Sequence, residues 1–311
     1  MNASFKPIIC CGFTPCVQRL LEYGRLERGS VNRALYSTTG FGGKGANTAR
    51  MAMQLGGSPV LVGFAGGANG RWLEEMLTRA RVDFRHVQVA GETRICQTLV
   101  EKDNPQTTEL VEEMPPITPS EWRQMLALFA LLDLSDAVVP ISGKLPAGAP
   151  IDAYAQITKM VAEQGGRVVL DAPGEPLLLA LEHGPFMVKI NEFELLQTCG
   201  GEDVMAACRE LLKRGAESVL ITRGSRSAFF MSGSEVLEIT PPEIVAVNPV
   251  GSGDAVMAGI AVELSRGKEI SEAILTGIAC GTANALNRAS GHLNVSDVEQ
   301  LLPRVRCAPF N

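Results

Sequence analysis

The sequence has few of the residues from which zinc sites and disulfide frameworks are built. Its 311 residues include only 3 His and 8 Cys, and no two cysteines form a Cys-x-x-Cys pair. A zinc site is therefore not expected. Several cysteines lie inside apolar segments, which is typical of buried, reduced thiols. Reduced thiols indicate a reducing compartment, and we expect a cytoplasmic protein.

Long apolar runs and an excess of positive charge are also missing. No apolar run approaches the roughly 18 residues of a transmembrane helix. The short apolar stretch from Pro7 to Phe13 leads into Thr14-Pro15 and does not resemble a signal peptide, so no membrane association is expected. The chain has 28 Lys and Arg against 34 Asp and Glu, a net charge of −6. A nucleic-acid partner is disfavoured because such proteins usually carry a basic face; a local basic cluster could still bind an anionic small molecule.

Short apolar runs alternate with longer helical patterns along most of the chain. This alternation predicts an α/β fold with a mostly parallel sheet that is covered on both faces. Nearly continuous apolar strands such as Val168-Val169-Leu170 fit that burial. The predicted strands are Pro7–Phe13, Pro59–Ala65, Ala137–Ile141, Arg167–Asp171, Phe186–Val188 and Ser218–Thr222. The predicted helices are Lys44–Leu55, Arg71–Arg81, Ser120–Leu132, Ile151–Glu163, Glu192–Cys199 and Val204–Arg214.

Two segments interrupt this alternation. Residues 19–39 are polar and have no helical period, and residues 95–112 are typical of two strands joined by a turn at Asp103-Asn104-Pro105. Two extended insertions in an α/β chain can form a small separate sheet. Such a sheet could act as a lid that excludes water from a reacting centre. Ordinary surface hairpins are the alternative.

The first glycine cluster runs from Gly40 to Gly45 and matches the pattern G-x-G-x-x-G. A dinucleotide site also needs an acidic residue about 20 positions later, yet residues 51–73 contain no Asp or Glu. An NAD-dependent enzyme is therefore disfavoured, and Lys44-Gly45 does not complete a P-loop. What remains is a flexible backbone, Lys44, and Asn47 at a helix start, where anions bind well. A tight turn with a solvated lysine is equally compatible.

The second cluster, from Asn248 to Asp254, precedes a good helical pattern. Gly251 and Gly253 flank Ser252, and successive backbone N–H groups there can form an anion-binding nest. Phosphoryl transfer needs such a nest because negative charge spreads over the transferred group. Asp254 lies beside it and could accept the proton of an attacking hydroxyl. A simple helix-capping role for Asp254 is the alternative.

A third pattern joins Asn191 and Glu194, which are three residues apart and share one helix face. An amide and a carboxylate at the start of a helix could hold Mg²⁺ through its water ligands. Capping of the helix by Asn191 is the alternative.

These segments, in this order, resemble the phosphofructokinase B family of the ribokinase-like superfamily, and the resemblance covers nearly the whole chain. The amino-acid sequence of residues 248–254 is most similar to that of the tagatose-6-phosphate kinase and 1-phosphofructokinase branch. The matching segments are Gly42-Gly43-Lys44-Gly45-Ala46-Asn47, Thr93-Arg94, Thr108-Glu109, Ser142-Gly143 with Leu145-Pro146, Lys189-x-Asn191-x-x-Glu194, Thr222-x-Gly224, Gly251-x-Gly253-Asp254, Thr282-Ala283-Asn284-Ala285 and Gly291-His292.

The resemblance implies a three-layer α/β/α ribokinase-like domain over residues 1–311. Insertions at about 15–40 and 90–113 would form a β-sheet lid, often paired between two subunits as a homodimer. It implies ATP and Mg²⁺ as cofactors and a sugar or sugar phosphate as acceptor. Asp254 would be the catalytic base, with Gly251, Ser252 and Gly253 as the anion hole. The acceptor would contact Gln18, Gly42, Gly43, Lys44, Asn47, Arg94 and Ser142. ATP would contact Lys189, Asn191, Glu194, Thr222, Gly224 and Asn284, with Asn191 and Glu194 holding the metal through water.

The departures from the family pattern lie on the acceptor side. An Asp of the family that holds sugar hydroxyls is replaced by Gln18, an Asn is replaced near Cys96, and Lys144 follows Ser142-Gly143. Lys44 and Arg94 favour a phosphorylated sugar, of the tagatose 6-phosphate, fructose 6-phosphate or fructose 1-phosphate class. A kinase for an unphosphorylated sugar or nucleoside and a non-catalytic sugar-phosphate sensor are the alternatives.

Overall fold

A wide sheet of ten strands separates two layers of helices. The computed structural model describes residues 5–103 and 107–310. The strands are β1 (Ile8–Cys11), β2 (Cys16–Tyr23), β3 (Tyr36–Gly42), β4 (Pro59–Ala65), β5 (Asp83–Gln88), β6 (Ile95–Glu101), β7 (Thr107–Val111), β8 (Val138–Ser142), β9 (Arg167–Asp171), β10 (Met187–Asn191), β11 (Val219–Arg223), β12 (Arg226–Ser232), β13 (Glu235–Thr240) and β14 (Arg306–Pro309). The helices are α1 (Lys44–Gln54), α2 (Gly67–Arg79), α3 (Pro119–Phe129), α4 (Ala153–Glu163), α5 (Glu175–Ala180), α6 (Glu192–Cys199), α7 (Val204–Lys213), α8 (Ser252–Ser265), α9 (Ile270–Ala285) and α10 (Val295–Leu301).

The large sheet has the order β14-β13-β12-β11-β10-β9-β8-β1-β4-β5. The seven strands β11-β10-β9-β8-β1-β4-β5 are parallel to one another. Strands β12, β13 and β14 extend the β11 edge of the sheet and are antiparallel to their neighbours. The parallel part carries the site, because the carboxyl ends of its strands meet at one edge.

The two hydrophobic cores lie on opposite faces of this sheet. Val168 and Leu170 of β9 pack with helices α3 to α7, whereas Val169 packs with α1, α2 and α8 to α10. The alternation follows from the two-residue period of a strand. It explains why the central strands are apolar without interruption, and it confirms the predicted three-layer α/β/α fold.

A second, four-stranded sheet has the order β3-β2-β6-β7. It contains both segments that interrupt the α/β alternation, so the prediction of a small separate sheet is confirmed. The two strands β2 and β6 are parallel, with Val17 opposite Ile95 and Gln18 opposite Cys96. Of the turn predicted at Asp103-Asn104-Pro105, the last two residues lie outside the described residues.

All six predicted strands and all six predicted helices are confirmed. The ends of Pro59–Ala65, Arg167–Asp171 and Glu192–Cys199 are as predicted, and those of the other nine are shifted by up to four residues. The strand predicted at Phe186–Val188 is wrong at its end, because β10 continues to Asn191. The helix predicted from Arg71 begins earlier, at Gly67. Within the described residues, no helix is long and apolar enough to cross a bilayer.

Candidate active site

A cleft of about 790 Å³ opens at the carboxyl ends of β9, β10 and β11. Asp171, Lys189 and Thr222 reach it from these strands, and the amino ends of α1 and α8 face it from the other side. The small sheet closes one wall through residues of β2, β6 and β7. Two helix N-termini that face one cleft favour an anionic ligand.

The amino end of α8 contains two glycines at which a side chain would be strained or would displace a neighbour. Gly251 has φ of 84°, and a Cβ there would lie 2.9 Å from the backbone nitrogen of Gly291. A Cβ on Gly253 would lie 2.8 Å from Nζ of Lys189. The amide of Ser252 already donates to the carbonyl of Pro249. The next N–H groups of the helix have no partner within its first turn, and the ammonium group of Lys189 lies close to them at Gly253.

Asp254 lies in this first turn and is buried. Nδ2 of Asn47 donates a hydrogen bond to its Oδ2 at 2.9 Å. Burial raises the pKa of Asp254 to about 6, and the hydrogen bond from Asn47 and the charge of Lys44 oppose that rise only in part. A carboxylate with a pKa near 6 is suited to act as a general base at neutral pH.

Asp171, at the end of β9, binds two lysines. Its Oδ2 lies 2.5 Å from Nζ of Lys189, and its Oδ1 lies 3.3 Å from Nζ of Lys44. Burial would raise the pKa of Asp171, but the two ammonium groups outweigh it and hold the pKa below its ordinary value. Burial would likewise lower the pKa of Lys44, and the carboxylates of Asp171 and Asp254 raise it instead. The carboxylates around Lys44 therefore favour its charged form.

A second cavity of about 240 Å³ adjoins the cleft and shares Gly43, Lys44 and Arg94 with it. Ser142 lines this cavity; its hydroxyl is buried and has no hydrogen-bond partner among the described residues. A buried hydroxyl without a partner is unusual in a folded protein. The cavity thus offers an unused hydroxyl beside an ammonium and a guanidinium group, which suits a phosphate.

Comparison with known proteins identifies the family. The profile of pfkB family carbohydrate kinases matches residues 9–295. The chain belongs to this family. It is similar to 1-phosphofructokinase of Bacillus subtilis (strain 168), with 31% identity over 297 residues that cover 94% of this chain and 96% of that protein.

Solved structures share the fold of this carbohydrate kinase. Phosphofructokinase-2 from Escherichia coli is similar with a TM-score of 0.89 and 24% identity, covering 96% of this chain and 99% of that one. Ribokinase from Thermotoga maritima is similar with a TM-score of 0.78 and 20% identity, covering 96% and 100% of the two chains.

Most of the residues that the sequence analysis assigned to a site lie together in the kinase's cleft. Those that line it are Gln18, Gly43, Lys44, Asn47, Arg94, Lys189, Asn191, Glu194, Thr222, Gly224, Gly251, Ser252, Gly253 and Asp254. Their individual roles toward substrates stay predictions.

Three assigned residues lie elsewhere. Ser142 lines the second cavity and not the cleft. Gly42 packs against Gln18, where a Cβ would lie 2.9 Å from Gln18 Cβ. Asn284 is fully buried. It donates to Val250 O and Ser252 Oγ and accepts from the amides of Gly291 and His292. It therefore holds the glycine loop from the side opposite the cleft and does not itself line the cleft.

The sequence analysis missed Asp171, although its position directly after Val168-Val169-Leu170 was a usable signal. An acidic residue at the carboxyl end of a buried parallel strand lies at the edge where ligands bind. It also missed Arg223 and Arg226, which line the cleft and both pair with Glu192. No motif indicated that pairing.

Two residues that depart from the family pattern, Gln18 and Lys144, differ from the expectation in their contacts. Nε2 of Gln18 donates to Oγ1 of Thr98 at 2.9 Å, and its Oε1 accepts from Sγ of Cys16 at 3.7 Å, so both ends of the amide already have partners in the small sheet. Lys144 is exposed and pairs with Glu113 at 2.9 Å, so its charge lies at the mouth of the second cavity and not in the cleft.

Asn191 and Glu194, which the resemblance assigned to the metal, fit a hydrated Mg²⁺ better than a directly liganded ion. Oδ1 of Asn191 accepts the amide of Glu194, so Asn191 caps α6, while Glu194 lines the cleft beside it. In the described part of the chain no three His, Cys, Asp or Glu side chains converge as a metal site. One carboxylate and one amide oxygen suit an ion that keeps most of its waters, as Mg²⁺ does.

Proposed function

We propose that this carbohydrate kinase transfers the terminal phosphoryl group of ATP to a hydroxyl of a phosphorylated sugar. The observation that carries the proposal is the second cavity, where the unpartnered Ser142 hydroxyl, Lys44 and Arg94 surround a space adjoining the cleft of Asp254. A sugar could then place its phosphate in the cavity and a hydroxyl at the base.

The relatives support this choice. The Bacillus subtilis protein is a 1-phosphofructokinase, and a structure of phosphofructokinase-2 from Escherichia coli is a complex with fructose-6-phosphate. A phosphorylated hexose of the fructose or tagatose type is the proposed acceptor class.

In the proposed mechanism, Asp254 accepts the proton of the attacking hydroxyl. Asn47 fixes the carboxylate of Asp254 through its hydrogen bond to Oδ2. Oδ1 is then left to accept the proton in the cleft that Asp254 lines. Lys189 and the free amides at the start of α8 stabilise the negative charge that develops on the transferred group. Mg²⁺, held through water by Asn191 and Glu194, would neutralise charge on the nucleotide phosphates.

We further propose that the described residues form one kinase domain in which the small sheet is a lid. Glu109 and Val111 of β7 line the cleft from this sheet. Tyr36, Leu110 and Val111 are about half exposed, at 56%, 49% and 55%, which supports pairing of two lids in a homodimer. A tetrameric form is known for phosphofructokinase-2 from Escherichia coli. A cytoplasmic location remains part of the proposal.

A kinase for an unphosphorylated sugar is the second candidate, and the structure gives it one supporting observation. Lys44 already has an anionic partner in Asp171, so its charge does not by itself require a substrate phosphate. The argument for a phosphorylated acceptor therefore rests on Ser142 and Arg94.

The test is a comparison of kcat/KM for fructose 6-phosphate, tagatose 6-phosphate and fructose 1-phosphate with the unphosphorylated sugars. Two lost charge-assisted hydrogen bonds of about 1.5–3 kcal/mol each predict a preference for the phosphate ester on the order of 100-fold or more. Equal turnover of a free sugar would reject the proposal, and ATP-independent binding without turnover would favour a sensor.

The metal assignment has its own test. Glu194→Gln removes one carboxylate near the nucleotide phosphates, so the Mg²⁺ concentration for half-maximal rate should rise about tenfold at fixed ATP. The KM for the sugar should change less than the Mg²⁺ dependence, because Glu194 lines the cleft but not the second cavity. An unchanged Mg²⁺ titration would reject the role of Glu194.

A further inference from the structure

Glu109 of β7 is a carboxylate of the cleft that the proposed mechanism does not use. The carboxylates that line the cleft, within residues 5–103 and 107–310, belong to Glu109, Asp171, Glu194 and Asp254. Asp171 binds two lysines, and Asp254 is hydrogen-bonded to Asn47, while Glu194 is assigned to the metal. Glu109 is exposed, and its side chain forms no ion pair or hydrogen bond with the residues that the structure describes.

The register of the small sheet fixes the direction in which Glu109 points. Glu109 lies directly opposite Thr98 of β6, and side chains that are opposite each other on paired strands lie on the same face. Val111 shares this face because side chains two apart on a strand point the same way. Glu109, Val111 and Gln18 all line the cleft, so this face of the small sheet is the one that a ligand meets.

The neutral polar groups beside Glu109 already have partners. Nε2 of Gln18 donates to Oγ1 of Thr98 at 2.9 Å, and Oε1 of Gln18 accepts from Sγ of Cys16 at 3.7 Å. Thr98 is itself buried. The carboxylate of Glu109 is therefore the polar group of this surface whose hydrogen-bonding capacity is left for a ligand.

Val111 places Glu109 relative to the proposed phosphate subsite. Val111 lines both the cleft and the second cavity, whereas Glu109 lines the cleft alone. Two residues along a strand span about 7 Å, so Glu109 lies one step further from the cavity than Val111. An acceptor with its phosphate in the cavity and its reacting hydroxyl at Asp254 passes this junction, and its other hydroxyls are left to face the small sheet.

We propose that Glu109 determines acceptor specificity by accepting hydrogen bonds from the non-reacting hydroxyls of the sugar. A carboxylate has acceptor sites and no donor, so it suits adjacent hydroxyl groups. An acceptor that carries a carboxylate at this place would bring two negative charges together, which disfavours its binding. Glu109 thus selects phosphorylated polyhydroxy sugars against phosphorylated sugar acids. The inference rests on the proposed function, because it needs an acceptor that extends from the second cavity to Asp254.

The experiment compares the wild type with Glu109→Gln and with Thr108→Val. Glutamine keeps the size of the side chain and removes its charge. Thr108 is the exposed neighbour on the opposite face of β7 and does not line the cleft, so Thr108→Val is the matched control for folding of the small sheet.

Glu109→Gln should affect two acceptor analogues in opposite directions. With the best of the three ketose phosphates, loss of a charge-assisted hydrogen bond should lower kcat/KM by about 10–100-fold. The inhibition constant of 6-phosphogluconate against this ketose phosphate should fall about fivefold, the effect of removing one like-charge contact in water. The KM for ATP should stay within about threefold of the wild-type value, and Thr108→Val should match the wild type throughout.

Deoxy analogues of the ketose phosphate, each lacking one non-reacting hydroxyl, identify the contact. Removal of the hydroxyl that Glu109 binds should cost the wild type about tenfold or more in kcat/KM and should cost Glu109→Gln much less, because the two changes remove the same interaction. A purely structural role of Glu109 would leave the two losses additive.

Weaker binding of both the ketose phosphate and 6-phosphogluconate, the same losses in Thr108→Val, additive losses with every deoxy analogue, or a kcat/KM of Glu109→Gln equal to that of the wild type would overturn the proposal. Failure of the proposed function is seen in the wild type alone, as equal turnover of a free ketose and its phosphate ester. Glu109→Gln is then compared with the wild type on the free ketose, which carries the same hydroxyls. If no acceptor is turned over, calorimetric binding of the same compounds gives the same comparison.

Discussion

Asp171 and Asp254 are two buried carboxylates of one cleft, yet their pKa values shift in opposite directions. Asp171 binds two ammonium groups, and its pKa is lowered. Asp254 has an amide as its hydrogen-bond partner and only more distant charges, and its pKa rises to about 6. Burial acts on both in the same sense, so the difference comes from direct ion pairing.

The comparison shows how one site can hold a permanent charge and a proton acceptor side by side. Asp171 stays ionised and keeps Lys44 and Lys189 in place for anionic ligands. Asp254 is left without a direct cation, so burial keeps it basic enough to take a proton.

Asp254→Asn should give the largest effect. The side chain keeps its shape and its contact with Asn47, but an amide cannot accept the hydroxyl proton, so kcat should fall about 10²–10⁴-fold. Steady-state rates with the best sugar acceptor measure this, with circular dichroism as the control for folding. A folded variant with a rate within threefold of the wild type would show that Asp254 is not the base.

The same two residues should have opposite effects on stability. Asp171→Asn leaves two buried or half-buried lysines without their carboxylate, so the free energy of unfolding at pH 7 should drop by roughly 3–5 kcal/mol. Asp254→Asn removes a charge that burial disfavours, and should stabilise the protein at pH 7 by up to about 3 kcal/mol. Urea unfolding of both variants checks this; equal destabilisation would contradict the comparison.

The stability contributions also have different pH windows. Because the folded pKa of Asp254 is above its ordinary value of 3.8, stability from this group is present below about pH 4 and is lost as pH rises through about 6. The folded pKa of Asp171 is lowered, so its contribution is present above 3.8 and is lost only as pH falls below that value. The gain from Asp254→Asn should therefore shrink between pH 7 and pH 4.

Sequence patterns predicted most of the fold because the central strands and helices carry strong periodicity. Strands β12, β13 and β14 were not predicted. In β13 and β14 the apolar run is broken or exposed, as in Glu235–Thr240. In β12 the residues Ala228 to Met231 form an uninterrupted buried apolar run, which is a usable signal that the prediction overlooked. Motif reasoning also found the residues at the amino ends of α1 and α8, because those depend on local spacing.

The rest of the site depends on contacts between distant segments. Asp171 lies 127 residues from Lys44 in the sequence, and Gln18 lies 80 residues from Thr98. Spacing along the chain carries no signal for such pairs. Asn284 is a different case: the motif marked the residue, but only the structure shows that its side chain is used in four hydrogen bonds that hold the glycine loop.

The pH dependence of the rate should report the coupling between the two carboxylates. If Asp254 is the base, kcat/KM of the wild type should fall about tenfold per pH unit on acidification below its pKa. Asp171→Asn removes a negative charge that helps to raise that pKa, so the midpoint should move to lower pH by up to about one unit. A midpoint that stays in place, or moves upward, would show that the two groups are not coupled as described.

Lys144→Met should give the smallest effect and tests the contrast between buried and exposed ion pairs. Lys144 and Glu113 are 2.9 Å apart, but their side chains are 76% and 72% exposed. Water screens such a pair, so its loss should change the free energy of unfolding by less than about 1 kcal/mol. We also expect the KM for the sugar to stay within about threefold of the wild-type value. Glu113 holds the ammonium group of Lys144 in solvent, and Arg94 lines the second cavity independently of Lys144. Urea unfolding and acceptor titrations provide both measurements. The control is Lys159→Met, at a lysine of α4 that is also mostly exposed, at 59%, and pairs with Glu163. A tenfold rise in KM in Lys144→Met alone would show that this lysine leaves Glu113 to bind the sugar phosphate, so that the phosphate subsite includes a third cation beside Lys44 and Arg94.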